Sequence, residues 1–405
     1  MSATLYLTNH CQYRCDHCFL TDSGALNSFH LPTADARKVI DDLSRNKVLM
    51  VVISGGDPML HPDFIEIVRY TRSRSLVPLI GINALEYDEE RLDALLSIGI
   101  TDFQVSIDAV AGHLHGSRTL EDHEPALRRM TTKGFRVAVA VTVHSGNVDG
   151  CPALAARLLE LGCASLKISM WRETGTGRSR GLRQVTDVEA ADLRRRLVDI
   201  AGARSDALRF PEMYQDADGV WRLERLPPER LVIRADGTIG SSETSRAIGR
   251  IGDGDVVRLY RETKARSAQD ARTRVLGRAM AEVGVGRVWD VPRSALGAGG
   301  AVAASETERI IMIADDLSPA ERLFTALHEI GHLKAGTLSR EPRSTPRRVE
   351  IDANLAAIET LAEIIPARFA EKLRLIARSD DEDALFREIR HKLDEQIATL
   401  EHAPT

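Results

Sequence analysis

Two groups of metal-seeking side chains stand out in this 405-residue chain. Cys11, Cys15 and Cys18 place three of its five cysteines on one short stretch, spaced CxxxCxxC. Three thiolates on one loop can converge on one centre, and soft sulfur donors select zinc, copper(I) or iron–sulfur clusters. Such clusters usually take four cysteines, so three suggest a cubane with one iron left open to another ligand. The competing reading is a zinc loop completed by His10 or His17. Far downstream, His328-Glu329-Ile330-Gly331-His332 carries the HExxH pattern. On a helix the two histidines share one face, four residues apart, and can bind one zinc ion. Glu329 would then stand beside the metal's water as general base, since zinc lowers the pKa of that water to roughly 7. A catalytic zinc needs a third protein ligand, expected from downstream. The bland alternative is a solvated His-Glu-His face, but residues 309–333 form a strand, a turn and an apolar helix, which disfavours it.

The elements that position the cysteines follow from periodicity. Short apolar runs at 4–7, 49–53, 78–82, 103–107, 137–143 and 165–170 alternate with amphipathic stretches such as 34–46, 64–73, 89–96 and 153–161. Six strand–helix units predict a parallel sheet with right-handed crossovers, α/β in class. Six are too few to close an eightfold barrel and suit an open, partial (βα)6 barrel. In barrel-like folds functional residues gather at the C-terminal ends of strands. Here those ends carry the cysteine loop, Ser54-Gly55-Gly56-Asp57-Pro58, Gly81-Ile82-Asn83-Ala84, Ser106-Ile107-Asp108, His144-Ser145-Gly146-Asn147 and Trp171-Arg172. Two adjacent glycines let backbone approach a ligand closely, and Arg172 could hold a carboxylate. His113 and His115 are read as loop residues first and substrate contacts second.

The segment Thr8-Asn9-His10-Cys11-Gln12-Tyr13-Arg14-Cys15-Asp16-His17-Cys18 resembles the signature of radical S-adenosylmethionine (SAM) enzymes. The resemblance implies that Cys11, Cys15 and Cys18 hold one [4Fe–4S] cluster whose fourth iron is chelated by SAM. It implies reductive cleavage of SAM to a 5′-deoxyadenosyl radical, fed by an external donor such as flavodoxin or ferredoxin. Gly55, Gly56, Asp57 and Pro58 match that family's GGEP motif, with Asp in place of the commoner Glu. Asn83 lies in a degenerate TNG turn, Ser106 and Asp108 in a VSLD-like pattern, and Asn147 matches a SAM-facing polar residue. Arg172 completes the implied SAM or substrate contacts.

Residues 206–265 change character. Leu231 to Ile239 is a hairpin signal around Asp236-Gly237, and it resembles the SPASM/Twitch extension of peptide-modifying radical SAM enzymes. Where that extension has a cluster-binding cysteine, Ser241 and Ser242 stand, so a reduced α+β extension without a second cluster is expected. A helix is predicted over 268–283, and 296–300 reads as a flexible Gly-rich turn, too short to let its flanks roam. Residues 309–366 resemble ImmA/IrrE-type zinc peptidases, with Glu350-Ile351-Asp352-Ala353-Asn354 as the second motif. The resemblance makes His328, His332 and Glu350 the zinc ligands, Asp352 the substitute for Glu350, and Glu329 the base. The expected organisation is a partial barrel over 1–205, the extension over 206–265 and a mainly helical zincin-like domain over 266–405.

Three functions compete. The first is a bifunctional maturase that modifies a ribosomally made peptide by radical chemistry and then cuts it. The second is a radical SAM enzyme on a small molecule, with a structural or regulatory zinc domain. The third is a redox- or SAM-responsive regulatory protease. A net charge of −5 and ordinary composition, 43% hydrophobic and 28% charged, give no footprint for nucleic acid or an anionic membrane. No apolar run reaches membrane-spanning length, the N-terminus lacks secretory features, and the cysteine usage suits a reducing cytoplasm.

Overall fold

The computed structural model describes residues 2–22, 24–83, 89–112, 118–216, 218–224, 230–296, 298–304, 309–337, 346–379 and 381–397. They fall into two compact units. The first comprises Met1–Met213, Trp221–Leu223 and Pro228–Arg261. Its centre is six parallel strands, β1 (Ser2–Thr8), β2 (Met50–Gly55), β3 (Val77–Ile82), β4 (Asp102–Ser106), β5 (Arg136–Val143) and β6 (Ser165–Met170), hydrogen-bonded in sequence order. Helices Thr33–Arg45, Phe64–Ser73, Glu89–Ser97, Leu120–Thr132 and Cys151–Glu160 connect them. This is the open (βα)6 arrangement expected from the six units.

The strands alternate for a physical reason. In β5, Val137, Val139, Val141 and Val143 are buried, while Ala138, Ala140 and Thr142 are only half-buried. The valines join one apolar cluster with residues of the covering helices, among them Leu127, Met130, Leu154 and Leu158. Each such burial stabilises by roughly 1.5–3 kcal/mol. The other face is concave and keeps small or polar residues: Ser106 on β4, Ala140 on β5, Lys167 and Ser169 on β6.

The hairpin expected around Asp236-Gly237 is present as strands Leu231–Ile233 and Thr238–Gly240. It is no separate layer. Leu231–Ile233 runs parallel to β1, so the hairpin extends the barrel sheet, and Leu208–Arg209 extends it beyond β6. The helix expected at 268–283 starts earlier, at Val256. Asp255 Oδ1 accepts the Val257 and Arg258 amides at 3.1 and 3.0 Å, a helix-start signal hidden in a glycine-rich stretch.

The second unit comprises Tyr214–Val220, Glu224–Pro227 and Glu262–Thr405. Its three-stranded sheet has Arg309–Ala314 in the middle, parallel to Val285–Val291 and antiparallel to Gly300–Ala304. Helices Pro319–Ala335, Arg347–Leu361, Ala367–Ser379 and Glu382–Gln396 follow. Phe324, Ile358, Leu361, Leu373 and Ile389 fill their shared core. The reading of 296–300 as a flexible turn needs correction. Leu296 ends a short helix, Gly300 already pairs with Ile313, and the segment lies inside this unit. Glycine is required at 300 because a Cβ there would lie 2.5 Å from Thr325 Cγ2 and 2.9 Å from Glu329 Oε1.

Candidate cluster and metal sites

The cysteine loop leaves the end of β1 and is gripped from two sides. On one side, the Gly56 and Asp57 amides donate to the Thr8 and His10 carbonyls, both at 2.7 Å. A Cβ on Gly55 would lie 2.3 Å from Thr8 O, and one on Gly56 2.2 Å from His10 O and 2.9 Å from Cys11 Cβ. On the other side, the loop after β6 presses Gly175 against the cysteine backbone, where a Cβ would meet Cys18 O at 2.3 Å and Asp16 O at 2.6 Å. Trp171 Nε1 and Thr174 Oγ1 both donate to His17 O at 3.1 Å. The glycine pair therefore lets two chain segments touch.

Around the thiols lies a buried polar network. Asn83 Nδ2 donates to Cys11 Sγ at 3.1 Å, and its Oδ1 accepts from Arg118 at 3.2 Å. Arg118 grips Asp108 Oδ2 through Nε at 3.0 Å and Nη2 at 2.8 Å, with Asp108 fully enclosed. Asp108 Oδ1 accepts the Thr142 amide. His17 Nε2 lies 3.7 Å from Asp108 Oδ2, and the donor atoms of Cys15, His17 and Asp108 lie within 4.8 Å of one another. His10 instead stacks on His30, with ring centroids 4.1 Å apart. Burial pushes the Cys15 thiol up to about 12, opposed by the nearby Arg118 guanidinium, and burial raises Cys11 and Cys18 too. These thiols hold their protons until a metal displaces them.

The second unit closes a tripod. His328 and His332, on the helix Pro319–Ala335, bring their Nε2 atoms to 3.0 Å. Glu350 Oε2, on the helix Arg347–Leu361, lies 3.2 and 3.5 Å from them. Ligands held at about 2.0–2.2 Å around a tetrahedral ion stand roughly 3.3–3.6 Å apart, so the set fits one metal. Asn354 Oδ1 faces His328 Nδ1 at 2.9 Å, and Thr337 Oγ1 faces His332 Nδ1 at 3.1 Å. Both contacts favour the tautomer that leaves Nε2 free for a metal. Gly331 permits the close helix crossing, since a Cβ there would be 3.0 Å from Ala353 O. Asp352, two residues from Glu350, is exposed. A two-residue step on a helix turns it away from the tripod. Burial raises the Glu329 carboxyl, with Glu350 adding to the shift and His328 opposing it.

Comparison with known proteins decides what the two units are. Residues 5–159 match the model of the radical SAM superfamily, and residues 292–402 match that of the IrrE N-terminal-like domain. The chain joins a radical SAM domain to an IrrE-type domain. The mycofactocin maturase MftC of Mycobacterium ulcerans is 31% identical over 182 residues, 43% of this chain and 48% of that protein. The PqqA peptide cyclase of Xanthomonas campestris is 26% identical over 182 residues, 44% and 48%. The chain thus spans about half the length of these curated relatives. The crystal structure of Streptococcus suis SuiB bound to precursor peptide SuiA shares the fold, with a TM-score of 0.52 at 13% identity over 64% of each chain.

A radical SAM domain implies a [4Fe–4S] cluster and SAM. The three soft thiol donors on a loop clamped by Gly55, Gly56 and Gly175 suit such a cluster. The remaining residues expected near SAM reach the strand ends, with roles the sequence did not announce. Asp57 accepts the Met59 amide at 3.1 Å, capping the turn that starts at Pro58, and also accepts from Gln12 at 3.2 Å. Asn147 donates to Asp108 O and Thr142 O and accepts the His144 amide, bracing β4 against β5. Ser106 and Arg172 are half-buried at the ends of β4 and β6. Ala84, His113 and His115 lie outside the described residues.

After the hairpin, Arg234 ties down the segment that carries Ser241 and Ser242. It donates to Glu243 O at 3.0 Å, Ser242 O at 3.0 Å and Ser245 O at 2.5 Å. Ser245 Oγ accepts the Ser241 and Ser242 amides. The sequence assigned no role to Arg118, Trp171, Gly175 or Thr337. Arg118 and Gly175 had a faint signal, as an arginine and a glycine shortly after strand ends. Among the described residues, no helix is long and apolar enough to cross a membrane.

Gly56→Ala is expected to displace the cysteine loop. Overpacking costs about 1–3 kcal/mol, and reconstituted iron should fall well below one cluster per chain. Gly277→Ala, on a helix face with nothing within 4 Å of the new Cβ, should leave iron unchanged. Iron assay and thermal melting of both variants check this.

Proposed function

We propose that this chain is a bifunctional maturase: its radical SAM domain modifies a ribosomally made peptide, and its IrrE-type domain then cuts that peptide using zinc. The observation that carries this reading is the joining of two preorganised sites, the clamped three-cysteine loop and the His328–His332–Glu350 tripod with Glu329 beside it. The names of the relatives, a maturase and a peptide cyclase, and the peptide-bound SuiB structure favour a peptide substrate.

Cys11, Cys15 and Cys18 would hold the cluster, and SAM bound there would supply radical chemistry for modifying the peptide. Gly55 and Gly56 would leave backbone open to the SAM amino group, and Asp57 and Pro58 fix that turn. Asn83 and Asp108 act through Cys11 and Arg118, while Ser106, Asn147 and Arg172 border the SAM and substrate space. In the other domain, zinc supplies Lewis acidity and Glu329 takes the proton from the attacking water. His328, His332 and Glu350 hold the ion. The radical SAM core occupies 1–205, the cluster-free extension 206–265 and the peptidase 266–405. An external donor such as flavodoxin or ferredoxin in the cytoplasm supplies the electron.

The test is anaerobic incubation with SAM, a reductant and a candidate precursor peptide sought by sequencing the neighbouring genes. A SAM-dependent mass change followed by a shorter product supports the reading. Neither change, with SAM still cleaved, points to a small-molecule substrate. Asn354→Ala is expected to weaken zinc binding about 10–100-fold by releasing His328 Nδ1; competition with a chelator measures it.

A further inference from the structure

The face of the barrel sheet turned away from the covering helices carries a lysine that the reading of the cluster and SAM residues did not include. Lys167 lies in the middle of β6, between Leu166 and Ile168, which are buried against the helices. Alternation along the strand turns Lys167 to the concave face. Its ammonium forms no hydrogen bond or ion pair among the described residues. Ser106, Ala140 and Lys167 occupy one row across β4, β5 and β6. Neighbouring strands are about 4.8 Å apart, so Lys167 stands roughly 10 Å from Ser106 with only the Ala140 methyl between them. This row forms a recess with the SAM-side serine at one edge and a cation at the other.

Glu212 borders the same recess, and its Oε2 is buried without a hydrogen-bond partner. Burial raises the Glu212 carboxyl and lowers the Lys167 ammonium, although each favours the other's charge. Arg172 adds a second cation near Glu212. Arg230, which also acts on Lys167, is already paired with Glu243. A half-buried ammonium whose neighbouring carboxyl makes no direct hydrogen bond to it leaves donors that a ligand's carboxylate can satisfy.

We infer that the recess bounded by Ser106, Ala140 and Lys167 binds a carboxylate of the substrate peptide, making Lys167 a specificity-determining residue. This rests on the peptide-modifying reading of the radical SAM domain. The carboxylate comes either from an Asp or Glu side chain or from the peptide's C-terminus. Lys167 anchors it by a charge-assisted hydrogen bond, and the neighbouring residue is then presented toward Ser106.

The test uses the full chain loaded with its cluster and SAM, and three probes followed by saturation-transfer NMR titration. They are N-acetyl-glutamate methylamide, N-acetyl-glutamine methylamide and N-acetyl-alanine with a free carboxylate. Wild-type protein should bind a carboxylate probe about tenfold more tightly than the glutamine probe, as one charge-assisted hydrogen bond supplies. Preference for the glutamate probe assigns a side chain, and preference for the alanine probe assigns the C-terminus. Lys167→Met should erase the preference and Lys167→Arg should retain it. Glu212→Gln should keep it, since the carboxylate is held by the cation. Equal binding of all three probes by wild type, or an undiminished preference in Lys167→Met, overturns the inference. Either result leaves the peptide-modification assay untouched, so the two readings fail separately.

Discussion

Cys15→Ala is expected to produce a folded protein that holds no cluster and cleaves no SAM. The wild type, reconstituted anaerobically, should carry about four irons per chain, the content of one cubane, and release 5′-deoxyadenosine under reduction. The variant should lose essentially all of both. The fold should survive, because the loop is held by backbone contacts from Gly56, Asp57, Trp171 and Thr174 rather than by the thiol. Cys163→Ala serves as control. Cys163 is fully buried in the apolar cluster between the helix Cys151–Glu160 and β6, far along the chain from the cysteine loop. About eight irons in the wild type would overturn the expectation that Ser241 and Ser242 stand where the SPASM/Twitch extension has its cluster cysteine.

The second large effect concerns the tripod. His328→Ala should lose zinc, because two ligands remain where three are required. Glu329→Gln should keep the metal and lose about 10²–10⁴-fold in hydrolysis, since only the base is removed. Glu350→Ala should lose zinc, while Asp352→Ala, on the exposed side of the same helix, should retain it. Zinc retained in full by His328→Ala would show that the metal lies elsewhere. These four variants separate ligation from proton transfer by metal analysis and peptidase assay.

The parts legible in the sequence were those where chemistry dictates local spacing. The three cysteines and the two histidines with their glutamate declare themselves within eight and five residues, and β5 declares itself through its alternating valines. What could not be read were contacts between distant segments. Gly55 and Gly56 looked like a ligand-facing turn, yet the steric demand comes from Thr8 and His10, more than forty residues earlier. That the Asn147 amide ties the backbone after β4 to the end of β5 could not be read from its place at a strand end. Arg118 carried no motif of its own, and only the fold brings it to Asp108 and Asn83. The Gly300 segment looked like a flexible turn because a glycine run carries no record of what packs against it. In the structure that neighbour is Glu329.

The central claim is that both sites act on one peptide, modification first. Joining two sites in one chain raises the effective concentration of the second around the product of the first, to millimolar levels for a short connection. The most direct measurement is mass spectrometry of the candidate precursor peptide after anaerobic reaction with wild type, Cys15→Ala and Glu329→Gln. The account predicts modified and cut peptide from the wild type, unmodified and largely uncut peptide from Cys15→Ala, and modified full-length peptide from Glu329→Gln. Cleavage of unmodified peptide by Cys15→Ala at the wild-type rate would contradict it.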